Sequence, residues 1–306
     1  MHMVVPRGFP SYVRIFHPAS RERPVGERWP DIPYDQHRRD WEAFQTRNPE
    51  IVGERVTWAE TAAALGTVMH PLAQWDTLTA PGVAVRGEDG PRDAVGWRYA
   101  APRMGDLEAD VVARIAGHLA GHTTTPEAGF VAVWEGFAGI VGFMGDGPSR
   151  AFYQLGDESQ GALATHNQML WSSLKDRFNC VFAMPSWQEG ILSREISEGA
   201  RLALPHRDHV LFRGGVSELA DPDWVLRMPW RDVPAETHGF PPDAHAPSLV
   251  WPDDHAWVLV TEVDYDSTVV CGAPMLIQAI LDDPALEARP IAADADLSWD
   301  ADGVNR

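Results

Sequence analysis

A chain of 306 residues with 44% hydrophobic and 23% charged positions is long enough for one large domain or two modest ones, and a single fold of that length buries roughly 75% of its unfolded surface. Its formal charge of −19, from 25 basic and 44 acidic residues, repels phosphate backbones and anionic lipid, which argues against nucleic acid and the membrane surface as partners. No apolar run approaches the ~18 residues of a membrane span, and MHMVVPRGFPSYVRIF lacks the basic–apolar–small order of a signal peptide, so a cytoplasmic location is expected.

Residues 1–10 read as loosely held, and 11–306 as one globular α+β domain. YVRIFHP (12–18) alternates like a strand. Residues 19–50 read as an irregular segment pinned by Trp29, Trp41 and Phe44. Thr57 and Glu60 form a capping box, which predicts a helix carrying Trp58, Ala62 and Leu65 and stopping at Gly66. Turns around a short strand are expected over 80–105. A second helix starts near Asp106, where acidic residues favour the positive helix end; Leu107, Val111, Ile115 and Leu119 mark its buried face up to Gly121.

GFVAVWEGF (129–137) predicts a strand followed by a glycine-dense turn. Residues 145–200 are a candidate insertion with a polar helix near 159–176. ARLALPHRDHVLFRG (200–214) returns to strand character, and 217–247 reads as loop with Trp224 and Trp230. Pro247–Gly272 reads as one long central strand, Ala273–Leu281 as a helix, and the acidic tail after Pro290 as fraying. Strands occur in adjacent groups and regular βα alternation is missing, so the fold class is α+β with a mainly antiparallel sheet and a few flanking helices.

Several chemistries are disfavoured by residue count. The two cysteines, Cys180 and Cys271, are too few for a disulfide framework or a thiolate metal site and read as small buried hydrophobes. The single lysine, Lys175, follows no glycine-rich loop, which disfavours P-loop, kinase and Schiff-base chemistry. No G-x-S-x-G elbow is present. The glycines 136, 139, 142, 145 and 147 miss the G-x-G-x-x-G order and read as turn residues. No cofactor is expected.

Three motifs carry the letters of a site. Asp264-x-Asp266-x-Thr268 resembles the first motif of haloacid-dehalogenase-like phosphatases, but the chain lacks that family's later lysine and ends about 40 residues on. If the strand runs through, Asp264 and Asp266 share one face and Val263 and Tyr265 the other. His206-Arg207-Asp208-His209 lacks the first ligand of a metallo-hydrolase pattern, and strand alternation separates its members. His118 and His122 have Zn²⁺ spacing, but Gly121 ends the helix between them. No metal site is expected.

Tryptophan is in excess, 13 against 5 Tyr and 11 Phe. Trp134, Trp251 and Trp257 flank predicted strands beside Glu135, Asp253 and Asp254. Aromatic faces next to carboxylates suit a small polar ligand or an Arg-bearing protein partner, which makes these six residues the candidate ligand-binding set. Between Asp243 and Asp302 thirteen Asp or Glu face one basic residue, Arg289, as in a solvated acidic face.

The blocks YVRIFHPA (12–19), VTWAETAA (56–63), VWEGFAG (133–139), LFRGG (211–215), SLVWPDDHAWVLVTEVD (248–264) and ILDDPALEA (280–288) resemble a set of uncharacterised actinobacterial proteins. The resemblance implies kinship and supplies no activity or site residue. The expected function is a binding or interaction module with a Trp- and acid-rich surface. The alternative is an enzyme whose acid and aromatic cleft acts on a carbohydrate-like or other neutral polar substrate.

Overall fold

A computed structural model describes residues 4–81, 90–145 and 185–306. The contacts gather the chain into two compact units. The first comprises Met1–Val131, Arg213–Ala220 and Ala246–Arg306; the second comprises Ala132–Phe212 and Asp221–His245. The polar helix expected near 159–176, Lys175, Cys180 and most of the candidate insertion lie outside the described residues.

In the first unit the strand read at 12–18 forms as β1 (Ser11–Phe16), almost wholly buried. The antiparallel class holds for every pairing described. The long strand expected over Pro247–Gly272 is instead three strands: β10 (Leu249–Pro252), β11 (Val258–Thr261) and β12 (Ser267–Gly272). Turn chemistry wins over the apolar pattern here. Pro252 offers no N–H, Asp253 and Asp254 follow it, and His255 adopts φ 52°, a region that bulky residues seldom enter. The meander pairs β10 with β11 and β11 with β12, while β1 lies between β12 and β13 (Ala288–Ile291). Beside β10 runs the first half of β5 (Gly129–Trp134), where the Asp253 amide donates to Ala128 O at 3.1 Å.

A smaller sheet orders β3 (Ile51–Val56), β2 (Ala19–Pro24) and β4 (Arg98–Ala100). The segment read as irregular thus contains β2 and a helix, α1 (Arg38–Arg47), whose Trp41 and Phe44 pack on Trp29. The capping box opens α2 (Trp58–Leu65) as expected, with Thr57 and Glu60 bonded reciprocally and Gly66 left-handed at the end. Trp58 is buried, meets Trp75 of α3 (Trp75–Thr79) edge-on at 5.2 Å, and donates from Nε1 to His17 O.

The second predicted helix is α4 (Ala109–Ala120), and all four residues of its expected face are buried. Its Arg114 and His118 both bond to Asp283, just beyond the last helix of the chain, which covers Pro274–Leu281. The C-terminal tail does not fray. Asp302 accepts from His70 at 2.8 Å, and Asn305 exchanges hydrogen bonds with the Val68 backbone, so Leu297, Asp302 and Asn305 are buried. A tail reads as loose only until its partners, 232 and 237 positions away, are known.

The second unit holds Ala132–Trp134 of β5, the pair β6 (Phe143–Gly145) and β7 (Ser186–Gln188), and a hairpin of β8 (Leu202–Leu204) and β9 (Arg207–Arg213) up to Phe212. Three further short α-helices occur among the described residues: α5 (Arg194–Ser197) and α7 (Val233–Glu236) here, and α6 (Val216–Leu219) in the first unit. The Pro274–Leu281 helix is therefore α8. The region read as loop over 217–247 is built of such short turns, with Trp224 and Trp230 buried and Trp230 donating to His245 O. No helix of the described residues is long and apolar enough to cross a membrane.

Candidate functional site

The end of β10 and the turn that follows it hold four of the six candidate residues, Trp251 in the strand and Asp253, Asp254 and Trp257 in the turn. Trp251 is half-buried and stacks on Phe130 with ring centroids 5.3 Å apart and planes 23° apart. The Arg213 guanidinium lies 4.6 Å from the centroid of the same Phe130 ring. Both of its terminal nitrogens donate to Asp253, Nη1 to Oδ1 at 2.6 Å. The result is a layered indole, phenyl and guanidinium stack clamped by a bidentate carboxylate, the geometry that makes Arg–carboxylate pairs directional.

Asp254 faces another group of donors. Thr123 Oγ1, Thr124 N and Thr124 Oγ1 reach it at 2.7–2.8 Å, and the Ala256 amide at 3.1 Å. Desolvation pushes its carboxyl up, but these donors outweigh it and hold the pKa at about 2. Asp254 is thus an ionised fastener between the 123–125 loop and its own turn. Trp257 is fully buried, so in this fold it is a core residue and presents no aromatic face to solvent.

Trp134 and Glu135 belong to the second unit. The Trp134 indole folds over the Gly136 backbone, where a Cβ would stand 2.1 Å from the ring, so the glycine serves close approach. Phe137 meets this indole edge-on at 5.3 Å, and the Arg207 guanidinium sits 5.2 Å from its centroid. Glu135 accepts from Arg201 Nε at 2.7 Å, and Arg201 also donates to Ile196, Ser197 and Gly199 carbonyls, closing the end of α5.

The other motifs resolve differently from the sequence reading. Asp264 and Asp266 lie in a turn, not on a continuing strand, because Glu262–Asp266 separates β11 from β12. Asp264 is exposed. Asp266 faces buried Arg14, whose Nη2 stands 3.4 Å away; Arg14 also donates to Ser267 Oγ, Pro71 O and Ala73 O. His206 occupies the β8–β9 turn with φ 65° while His209 is buried, so H-x-D-H does not converge. His118 bonds to Asp283 and His122 to the His118 carbonyl. Among the described residues no group of three or more His, Cys, Asp or Glu is placed to hold a metal ion.

The partners of the candidate residues escaped sequence reading. Phe130 belonged to a recognised strand and Arg213 to the block LFRGG, but nothing local ties either to Trp251 or Asp253, 121 and 40 positions away respectively. The only legible hint was alternation, which put Phe130 on the face opposite to its apolar neighbours Val131 and Val133. No family model matches this chain, and neither a curated protein nor a solved structure does.

Proposed function

We propose that the protein is a binding module and that the Trp251–Phe130–Arg213 stack, clamped by Asp253, is its recognition surface. The stack carries this reading. It places two aromatic rings and a guanidinium in partly or fully exposed positions of the first unit, at a strand end, where a rigid scaffold presents binding groups. The carboxylates of the candidate set support binding over acid–base catalysis. Asp253 pairs with Arg213, Asp254 with the threonine loop and Glu135 with Arg201, and Asp254, ionised at neutral pH, has no proton to give. The intramolecular arginine also takes the place that an Arg-bearing partner would fill. A neutral polar ligand or a peptide without arginine therefore fits better.

The test separates this stack from plain core. Immobilised neutral oligosaccharides and Arg-free peptides are probed with the wild-type chain, and any hit is repeated with Trp251→Ala and Arg213→Ala. Binding should be lost in both while the melting temperature moves by only a few degrees. Trp257→Ala, the buried comparator, should cost about 3–5 kcal/mol. A Trp251→Ala loss as large as that of Trp257→Ala, or binding that survives both surface variants, overturns the reading.

A further inference from the structure

A second feature of the first unit is independent of that surface. A cleft of about 160 Å³ opens between the end of β1, the β3–α2 corner, and the loop running from Ala285 to Glu287. This is well above the ~15 Å³ that one water needs and below the ~300 Å³ of pockets for drug-sized ligands. Its occupant would be the size of an amino-acid side chain. The floor is apolar, from Phe16, Val56, Val111 and Leu286, while Glu60 and Glu287 supply carboxylates to the walls.

Both carboxylates are fixed and keep acceptor capacity. Glu287 takes the Trp58 amide on Oε2 at 2.6 Å and the Ala59 amide on Oε1 at 2.8 Å, which leaves each oxygen a second lone pair. Glu60 takes the Thr57 amide and hydroxyl on Oε2 alone. Charge around the cleft is unbalanced. Arg55 lines it but is paired with Glu108 and Asp110, and Arg21, which acts on Glu60, is paired with Glu54. Arg289 acts on Glu287. These eight groups comprise three guanidiniums and five carboxylates. Burial pushes the Glu287 carboxyl up; the two amides oppose that, and the Glu60 charge adds to it. An arriving cation would relieve this repulsion.

We infer that this cleft binds a small free organic cation, a primary alkylammonium whose chain lies on the Phe16–Val56–Leu286 floor and whose head bridges Glu60 and Glu287. An anion meets two carboxylates there, and a neutral alcohol of the same shape brings one donor and no positive charge, so it reaches only one of the two carboxylates and forms no ion pair.

The experiment is a calorimetric or NMR titration of the full chain with n-butylammonium, n-butanol and butyrate at neutral pH. Butylammonium should bind saturably at one site, butanol at least about tenfold more weakly, in line with the loss of one charged hydrogen bond, and butyrate not at all. Glu60→Gln and Glu287→Gln should each weaken butylammonium by a similar factor. Ala285→Phe, at the exposed mouth, should block it with both carboxylates intact. Should Glu287→Gln fail to fold because it caps α2, Glu60→Gln and Ala285→Phe carry the test. No saturable binding, equal binding of butanol, binding that survives Ala285→Phe, or binding only of a blocked lysine peptide and not of the free amine would each overturn the proposal. None of these outcomes bears on the Trp251 stack, whose variants leave the cleft unchanged.

Discussion

Between β10 and β11 the chain turns through Asp253, Asp254 and His255; between β11 and β12 it turns through Glu262 to Asp266. Both turns are acidic, both join strands of one meander, and both read alike in sequence. In the first, Asp254 is exposed and surrounded by four donors, and its pKa is held at about 2. In the second, Asp266 sits against the buried Arg14 guanidinium, and desolvation raises its pKa even though Arg14 opposes the shift. Burial also lowers Arg14 to about 10, with Asp266 offsetting part of that. Donor count and burial, not residue type or spacing, thus set the state of each carboxylate.

Removing each turn's principal contact gives the largest contrast. Arg14→Met takes away a buried cation that satisfies Ser267 Oγ, two backbone carbonyls and Asp266 together, and should cost about 3–5 kcal/mol. Asp254→Ala removes donors' partners at the surface, where water substitutes, and should cost about 1 kcal/mol. Urea unfolding of the two variants checks this. Similar losses would mean that the turns are equivalent after all.

Part of this was legible. The period-2 pattern found β1, the Thr57–Glu60 spacing found α2, and the four-residue spacing of Leu107, Val111, Ile115 and Leu119 found the buried face of α4. These features are local. What failed was either non-local or overridden by apolar content. Val258–Thr261 and Ser267–Gly272 looked continuous because five intervening residues, with Val263 and Tyr265 alternating among acids, preserve a strand-like period. The tail looked loose because Asp302 finds His70 only through the fold. For the candidate site, residue type pointed to the WPDDHAW block, but burial removed Trp257 from its surface and distant Arg213 claimed Asp253.

Acid titration should tell the two turns apart at smaller amplitude. A carboxyl held at about 2 contributes stability that is fully present above its unfolded pKa near 3.8 and is lost as pH falls through about 2. Asp266 works with the opposite sign. Its folded pKa lies above 3.8, so the unfolded chain releases the proton first and stability falls as pH rises through that window. Stability curves against pH should therefore flatten below pH ~4 in Asp254→Asn, and should lose a downward component above pH ~4 in Asp266→Asn. Slopes, not absolute stabilities, are compared, since each variant also shifts the baseline. Slopes changing in the same direction would contradict the opposed electrostatics of the two turns.

The smallest effect is expected at Asp264, which shares its turn with Asp266 but not its environment. It is exposed, and its charge joins those of Glu262 and Asp296 around Tyr265, where, after desolvation, all three raise the phenol. Asn keeps the shape and removes one of several like charges, so Asp264→Asn should move stability by less than ~0.5 kcal/mol, towards a gain at low salt where repulsion is least screened. The same variant distinguishes a structural aspartate from a phosphoryl acceptor. A nucleophilic carboxylate at the end of β11 would make p-nitrophenyl phosphate hydrolysis measurable in the wild type and absent in Asp264→Asn, with the fold intact. We expect no such hydrolysis in either, because the second carboxylate, which would have to act as acid or base, is Asp266, and it is held in the turn against the buried Arg14 guanidinium. A turnover lost on this one substitution would reassign the turn from scaffold to active site and reverse the order of the two turns' importance.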